Sequence, residues 1–209
     1  EKAPIAAKRD MYLDENGEFI SNKSTIGALA VGVPGTIAGI FAVHEKLGSL
    51  PLEEIFAPVI KLATRGFIVT EKQSRRMDYF KEIIDKTNKN ETLFANKYQK
   101  GDTIKNIAMA QTLQRISENG RREFYQGGTA KTMVNFLQSN GGIITLEDLN
   151  AYEATWREPI VFNYKGLKII SMSPPSSGGI CLAQILKFIE PYPIKNYGHN
   201  STKTIQVIT

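Results

Sequence analysis

The run Pro174-Pro175-Ser176-Ser177-Gly178-Gly179, leading straight into the apolar stretch Ile180 to Ile189, constrains this chain more than any other feature. Pro175 lacks a backbone donor and disfavours helix at Pro174, so the chain must arrive there extended. Either serine is able to cap the following helix, and the glycines let other backbone come close. Six residues thus demand a strand, a turn and a helix in succession, with bare amides at the helix start that would suit an anion. The residues alone leave two readings open: a capped helix with no ligand, or an anion-facing turn.

What surrounds this run is globular. The chain has 209 residues, 42% of them hydrophobic, enough for one large domain or part of a bigger one with a real core. No apolar run approaches the roughly 20 residues that span a bilayer. The greasiest region, Ile26 to Ala42, is broken by Gly27, Gly32, Pro34, Gly35 and Gly39, so no membrane span is expected. The formal charge of +5 comes from 26 basic side chains interleaved with 21 acidic ones, and only Lys8-Arg9, Arg75-Arg76 and Arg121-Arg122 form basic doublets. A basic groove with stacking aromatics is missing, so nucleic acid is not an expected partner and the charge is read as solubility.

Cys181 is the single cysteine, which excludes an internal disulfide and a cysteine-based metal cluster. It falls inside the helix after the double glycine and is expected to be a small buried filler. His44 and His199 are the only histidines, too few to argue for zinc or a histidine-activated nucleophile, and no cofactor is expected.

The apolar spacing and breaker residues predict a mostly helical α+β chain with a few antiparallel strands. Asp14-Glu15-Asn16-Gly17 predicts a turn between the short extended pieces Met11 to Leu13 and Phe19-Ile20. Pro34-Gly35 predicts a turn, with Thr36 capping a helix to about Lys46 that ends at Gly48. Helical spacing from Leu52 to Ala63 stops at Gly66, and Pro58 inside it predicts a kink or two short helices. Thr70 with Gln73 is a capping-box pattern opening a helix through Ile84, which decays into an exposed polar loop from Lys86 to Glu91. Helices follow over Ile107 to Asn119 and Thr129 to Asn140, ended by Gly120 and Gly141-Gly142 at left-handed positions, and a short one opens at Thr145 and runs to about Tyr152. Trp156 to Phe162 and Leu167 to Met172 predict paired strands that enter the core sheet. No internal repeat or linker composition marks a domain boundary.

The chemical motifs are mostly absences. There is no Gly-x-Ser-x-Gly elbow, no phosphate-binding glycine loop ending in Lys-Ser or Lys-Thr, and no His-Glu-x-x-His. Ser176 and Ser177 have no identifiable base, and the helix start already explains them. The pairs Glu53-Glu54 and Glu147-Asp148 are placed on helix surfaces and first turns, where carboxylates suit the dipole. Sequons at Asn22, Asn90 and Asn200 matter only where secreted proteins are glycosylated. The chain begins at Glu1 with no methionine or signal peptide, and Thr202 to Thr209 reads as a helix just starting after an Asn200-Ser201 cap, so a trimmed fragment is expected.

Several stretches taken together resemble the large subunit of γ-glutamyltranspeptidase, also called glutathione hydrolase. They are Glu1-Lys2-Ala3-Pro4, Arg9 to Asp14, Gly32-Val33-Pro34-Gly35-Thr36, Lys61-Leu62-Ala63 with Gly66-Phe67, Asn119-Gly120, Phe124-Tyr125, Asn140-Gly141-Gly142, Glu147-Asp148-Leu149 with Tyr152, and Ser173 to Gly179. They occur in the family's order over nearly the whole chain. The resemblance implies part of an N-terminal nucleophile hydrolase with an αββα sandwich, made as a precursor that cuts itself into a large and a small subunit. It implies a small-subunit threonine that attacks γ-glutamyl amides, its own α-amino group serving as base, and an acyl-enzyme that passes the γ-glutamyl group to water, an amino acid or a peptide.

The same resemblance places that chemistry outside this chain. The threonine, the oxyanion glycines and the groups that grip the substrate amino group would lie beyond Thr209. The arginine that pairs with the substrate α-carboxylate would sit immediately before Glu1, and Arg9 is too far along to replace it. No residue here is therefore assigned a catalytic, substrate-binding or metal role. Cys181 departs from the histidine that many relatives carry, which fits a non-catalytic position. Residues 1–209 are expected to be a single incomplete domain, inactive alone, completed by the small-subunit half of the same precursor. Glutathione and γ-glutamyl compounds would be the full enzyme's substrates, a periplasmic or secreted location is implied, and the isolated fragment is expected to self-associate. The alternatives are a related acylase or poly-γ-glutamate-processing enzyme, and a non-catalytic module that binds an anionic peptide end.

Overall fold

The computed structural model describes residues 2–88 and 92–209, which form two compact units, Glu1–Ala154 and Thr155–Thr209. Of the polar loop expected from Lys86 to Glu91, residues 89–91 with the Asn90 sequon lie outside the described residues, as does Glu1.

The first unit opens with an irregular segment whose predicted hairpin is reduced to one antiparallel bridge, Leu13 to Phe19. Asp14 Oδ1 accepts the amides of Asn16 and Glu18 at 2.9 and 2.8 Å, and Gly17 takes a φ of 82°. Helix α1 (Thr36–Leu47) follows the Pro34-Gly35 turn. Its N-cap is Gly35 with no capping side chain, not Thr36 as expected. The Ala38 amide, which a cap would normally satisfy, instead donates to the Tyr125 hydroxyl at 3.1 Å.

Helix α2 (Leu52–Arg65) runs as one element through Pro58, so of the expected kink or pair of short helices the pair is not formed. Pro58 and Glu54, whose carbonyl loses its amide partner, are both exposed, so water is available at that site. Gly66 ends α2 with φ 90°, where a Cβ would come 2.7 Å from the Ile104 carbonyl oxygen. Strand β1 (Phe67–Ile68) then pairs antiparallel with β2 (Thr103–Ile104), two residues apiece. So short a ladder leaves no alternation to read in a sequence. Between them α3 (Glu71–Thr87) opens on the predicted Thr70-Gln73 capping box.

Helix α4 (Ile107–Asn119) has its predicted bounds. Gly120, with φ 66°, both ends it and begins α5 (Arg121–Tyr125), a short helix that the sequence pattern does not predict. Helix α6 (Gly128–Ser139) closes as a Schellman motif: Gly142 N donates to Leu137 O at 2.8 Å and Gly141 N to Gln138 O at 3.1 Å, with Gly141 at φ 83°. Helix α7 (Leu146–Asn150) starts on the Thr145-Asp148 capping box. The core joins Val33, Ala38, Tyr125, Val134, Ile144 and Leu149, and Tyr125 stacks on Tyr152 with ring centres 6.0 Å apart.

In the second unit β3 (Ile160–Tyr164) pairs antiparallel with β4 (Leu167–Ser171). The turn is Lys165-Gly166, both at positive φ (45° and 82°), as a two-residue type I′ loop requires. Among the described residues the two strands pair only with each other, so the expected core sheet is not completed within this chain. Helix α8 (Gly178–Ile189) packs back on the hairpin, and α9 (Thr202–Ile208) starts on the predicted Ser201 cap, its side chain accepting Thr204 N at 3.2 Å.

Candidate functional site

The turn that dominates the sequence lies within the second unit. The extended approach ends at Ser171; Pro174 and Pro175 are joined by a cis peptide bond, and Ser176 N donates to Ser173 O at 3.3 Å. Ser177 holds the N-cap position without a side-chain bond, while Ser176 Oγ accepts the Gly178 amide at 3.3 Å. Gly179 is buried, and a Cβ there would overlap the Met172 carbonyl oxygen and lie 3.2 Å from Ile160 Cγ1. Gly179 is therefore explained by how closely α8 crosses the chain just after β4, whereas a Cβ at Gly178 would meet only Ser176 Oγ, at 3.4 Å. Of the amides an anion would need, Gly178's is already bonded. Neither serine hydrogen-bonds a histidine or lysine among the described residues.

Cys181 is exposed, which corrects the expected buried filler. Helix α8 turns Gly179 and Ala183 toward the hairpin, and Cys181 lies two residues from each, on the opposite side of the helix.

The first unit carries a second cluster of polar groups around the segment after Glu1. Its hub is Asp148, placed by sequence on a helix surface but in fact 0% exposed. Asp148 Oδ2 accepts Thr145 N at 2.9 Å and Thr145 Oγ1 at 2.8 Å, a capping box at the helix start the sequence predicts. Its Oδ1 accepts the Ile5 amide at 2.6 Å, from 143 residues away. Burial alone would push this carboxyl up, but the Ile5 amide, the Thr145 hydroxyl and amide and the Lys2 charge together hold it below its usual range. The segment is tied twice more: Val33 N donates to Lys2 O at 3.0 Å, and Lys2 Nζ to Ala151 O at 3.2 Å.

Beside this segment is an open groove of ≈ 590 Å³ between Lys2, Pro4 and Ala7, Met11 and Tyr12, and the run from Leu29 to Val33. Tyr12 donates its hydroxyl to Leu29 O at 3.3 Å, and Lys2 is the one charged side chain on the described walls. The described walls include no serine, threonine, cysteine, histidine or carboxylate. Such a groove is able to bind, but its two polar side chains are engaged on backbone carbonyls, Lys2 on Ala151 O and Tyr12 on Leu29 O. Arg9 is exposed and does not line it.

The other residues considered from sequence are scattered. Glu53 and Glu54 occupy the exposed first turn of α2. His44 Nε2 lies 2.8 Å from Leu50 O and closes the end of α1. Arg121 of the basic doublet sits over the Tyr125 ring at 4.8 Å and donates to the Tyr152 carbonyl. Among the described residues no group of three or more His, Cys, Asp or Glu is placed to hold a metal, and no helix is long and apolar enough to cross a membrane.

A family model described as gamma-glutamyltranspeptidase matches residues 1–209. The chain belongs to the γ-glutamyltranspeptidase family. It is 41% identical to the glutathione hydrolase proenzyme of Escherichia coli K12 over 212 residues, covering 100% of this chain and 37% of that protein. Its fold superposes on the Helicobacter pylori γ-glutamyltranspeptidase crystal structure with a TM-score of 0.94 at 40% identity, over 100% of this chain and 61% of that one. On the Pseudomonas nitroreducens γ-glutamyltranspeptidase complexed with L-DON the TM-score is 0.90 at 39% identity, again over 100% of this chain and 62% of that one. The chain thus spans little more than a third of the curated relative's length. Its fold is α+β and mostly helical, part of the N-terminal nucleophile hydrolase architecture of this family, as the resemblance implied.

Proposed function

We propose that this chain is a segment of the large subunit of a γ-glutamyltranspeptidase, an enzyme that cleaves the γ-glutamyl amide of glutathione and its conjugates. In this reading the γ-glutamyl group passes through an acyl-enzyme on a threonine supplied by the other half of the precursor, then to water, an amino acid or a peptide. The chain contributes scaffold and walls rather than reacting groups, and residues 1–209 are one incomplete domain that the small-subunit half completes. The periplasm or the cell exterior is the proposed location.

The observation that carries the reading is the superposition over the whole chain on the H. pylori enzyme, at 40% identity. The groove beside Lys2 and Tyr12, whose described walls include no serine, threonine, cysteine or histidine, accords with chemistry supplied from elsewhere. The test uses the full-length precursor. Self-cleavage, read by denaturing gel and intact mass, should expose a new N-terminal threonine, and the product should release the anilide from a γ-glutamyl anilide. An uncut chain with no γ-glutamyl release overturns the proposal. A cleaved precursor that turns over only a β-lactam side-chain amide replaces the substrate with that of a related acylase.

A further inference from the structure

Asn-Gly dipeptides occur at Asn16-Gly17, Asn119-Gly120 and Asn140-Gly141, and the function proposed above uses none of them. Asparagine before glycine is the pairing most open to spontaneous deamidation, because no side chain shields the glycine amide from the neighbouring carboxamide. The fold treats the three very differently. Asn119 and Asn140 terminate helices, and each carboxamide is held by its own helix: Asn119 Nδ2 donates to Arg115 O at 3.0 Å, and Asn140 Nδ2 to Phe136 O at 2.8 Å. Asn16 sits at the exposed tip of the Asp14–Glu18 turn, and among the described residues its carboxamide has no hydrogen-bond partner. Gly17 beside it has nothing within 4 Å of where a Cβ would stand. All three glycine amides donate to a backbone carbonyl, at 3.1 Å for Gly17 and Gly141 and 2.8 Å for Gly120. The carboxamide tether therefore separates Asn16 from the other two.

We propose that Asn16 is a site of spontaneous modification in the folded protein, through attack of the Gly17 nitrogen on the Asn16 side-chain carbonyl carbon. The new N–C bond closes a five-membered succinimide, the C–N bond of the carboxamide breaks, and the Gly17 amide proton, relayed through solvent, reaches the departing nitrogen, which leaves as ammonia. Water then opens the ring at either carbonyl to give aspartate or isoaspartate; no oxidant or reductant takes part. The isoaspartyl product carries an extra backbone methylene between Asp14 and Glu18. That spacing is incompatible with the turn's own bonds, Asp14 N to Glu18 O at 2.8 Å and Ile20 N to Tyr12 O at 2.9 Å. Because Tyr12 also walls the groove beside Lys2, modification at Asn16 loosens one edge of it.

The test is ageing of the full-length protein at neutral pH, followed by peptide mapping for the amide-to-acid mass change and for isoaspartate at each of the three sites. Asn16 is expected to convert about fivefold or more faster than Asn119 or Asn140, the factor one helix-end hydrogen bond exerts on the opened population. In denaturant the three rates should converge, since all precede glycine. Asn16→Gln should remove the first-site product and leave the other two unchanged. Equal rates in the folded protein overturn the proposal, as does an Asn16 advantage that survives denaturation.

Discussion

Asp148 shows how much a single residue contributes when its partners lie far along the chain. Three donors converge on its buried carboxylate, so Asp148→Ala leaves the Ile5 and Thr145 amides unpaired, and we expect a loss of about 2 to 3 kcal/mol by denaturant unfolding of the full-length protein. The sign of its pH effect follows from its lowered pKa. Below the ordinary value of 3.8 the unfolded chain binds the proton first, so this contribution is full above that value and is lost as acidification carries the pH through the depressed folded one. Asp148→Asn should flatten that part of the acid limb, and an unchanged acid profile would remove Asp148 from this role. Gly66 is a second residue set by its surroundings. With φ 90° and the Ile104 oxygen 2.7 Å from where a Cβ would stand, Gly66→Ala should cost on the order of 2 kcal/mol, read as a lowered Tm.

At the scale of elements, local chemistry in the sequence marks the helices well where a cap or breaker sits next to them. The Thr70-Gln73 and Thr145-Asp148 boxes, the Gly120 end and the Gly141-Gly142 end are contacts within a turn or two, which is why spacing alone finds them. Helix α1 is capped instead by Tyr125, 87 residues from the Ala38 amide it accepts, and nothing near Thr36 signals it. Pro58 in α2 departs furthest from its local rule: the helix continues because the orphaned carbonyl of Glu54 is on the wet face. Pro58→Ala restores that bond at some loss of unfolded-state restriction, and should stabilise by roughly 1 to 2 kcal/mol, measured by denaturant unfolding; a destabilised variant would show that the proline's stiffness matters more.

The whole molecule leaves apolar side chains uncovered in the second unit. Cross-strand partners Val161 and Ile170 are 49% and 63% exposed on one face of the hairpin, while Ile160 and Phe162 turn to the other. Helix α8 is apolar on most sides, with Ile185 and Phe188 exposed away from the hairpin. Elements apolar on both faces belong between other layers. The chain expressed alone should therefore self-associate in sedimentation, and co-expression with the small-subunit half proposed above should abolish this. A monodisperse monomer that unfolds cooperatively would contradict it.

The family, the mostly helical class and the strand-turn-helix run to Gly179 were all legible in the sequence, because each rests on residues within a few positions of one another or on motifs kept in order. The burial of Asp148, the exposure of Cys181, the Tyr125 cap and the N-terminal groove were decided only by tertiary structure. Each depends on which side of an element meets a segment tens of residues distant, and no local propensity records that.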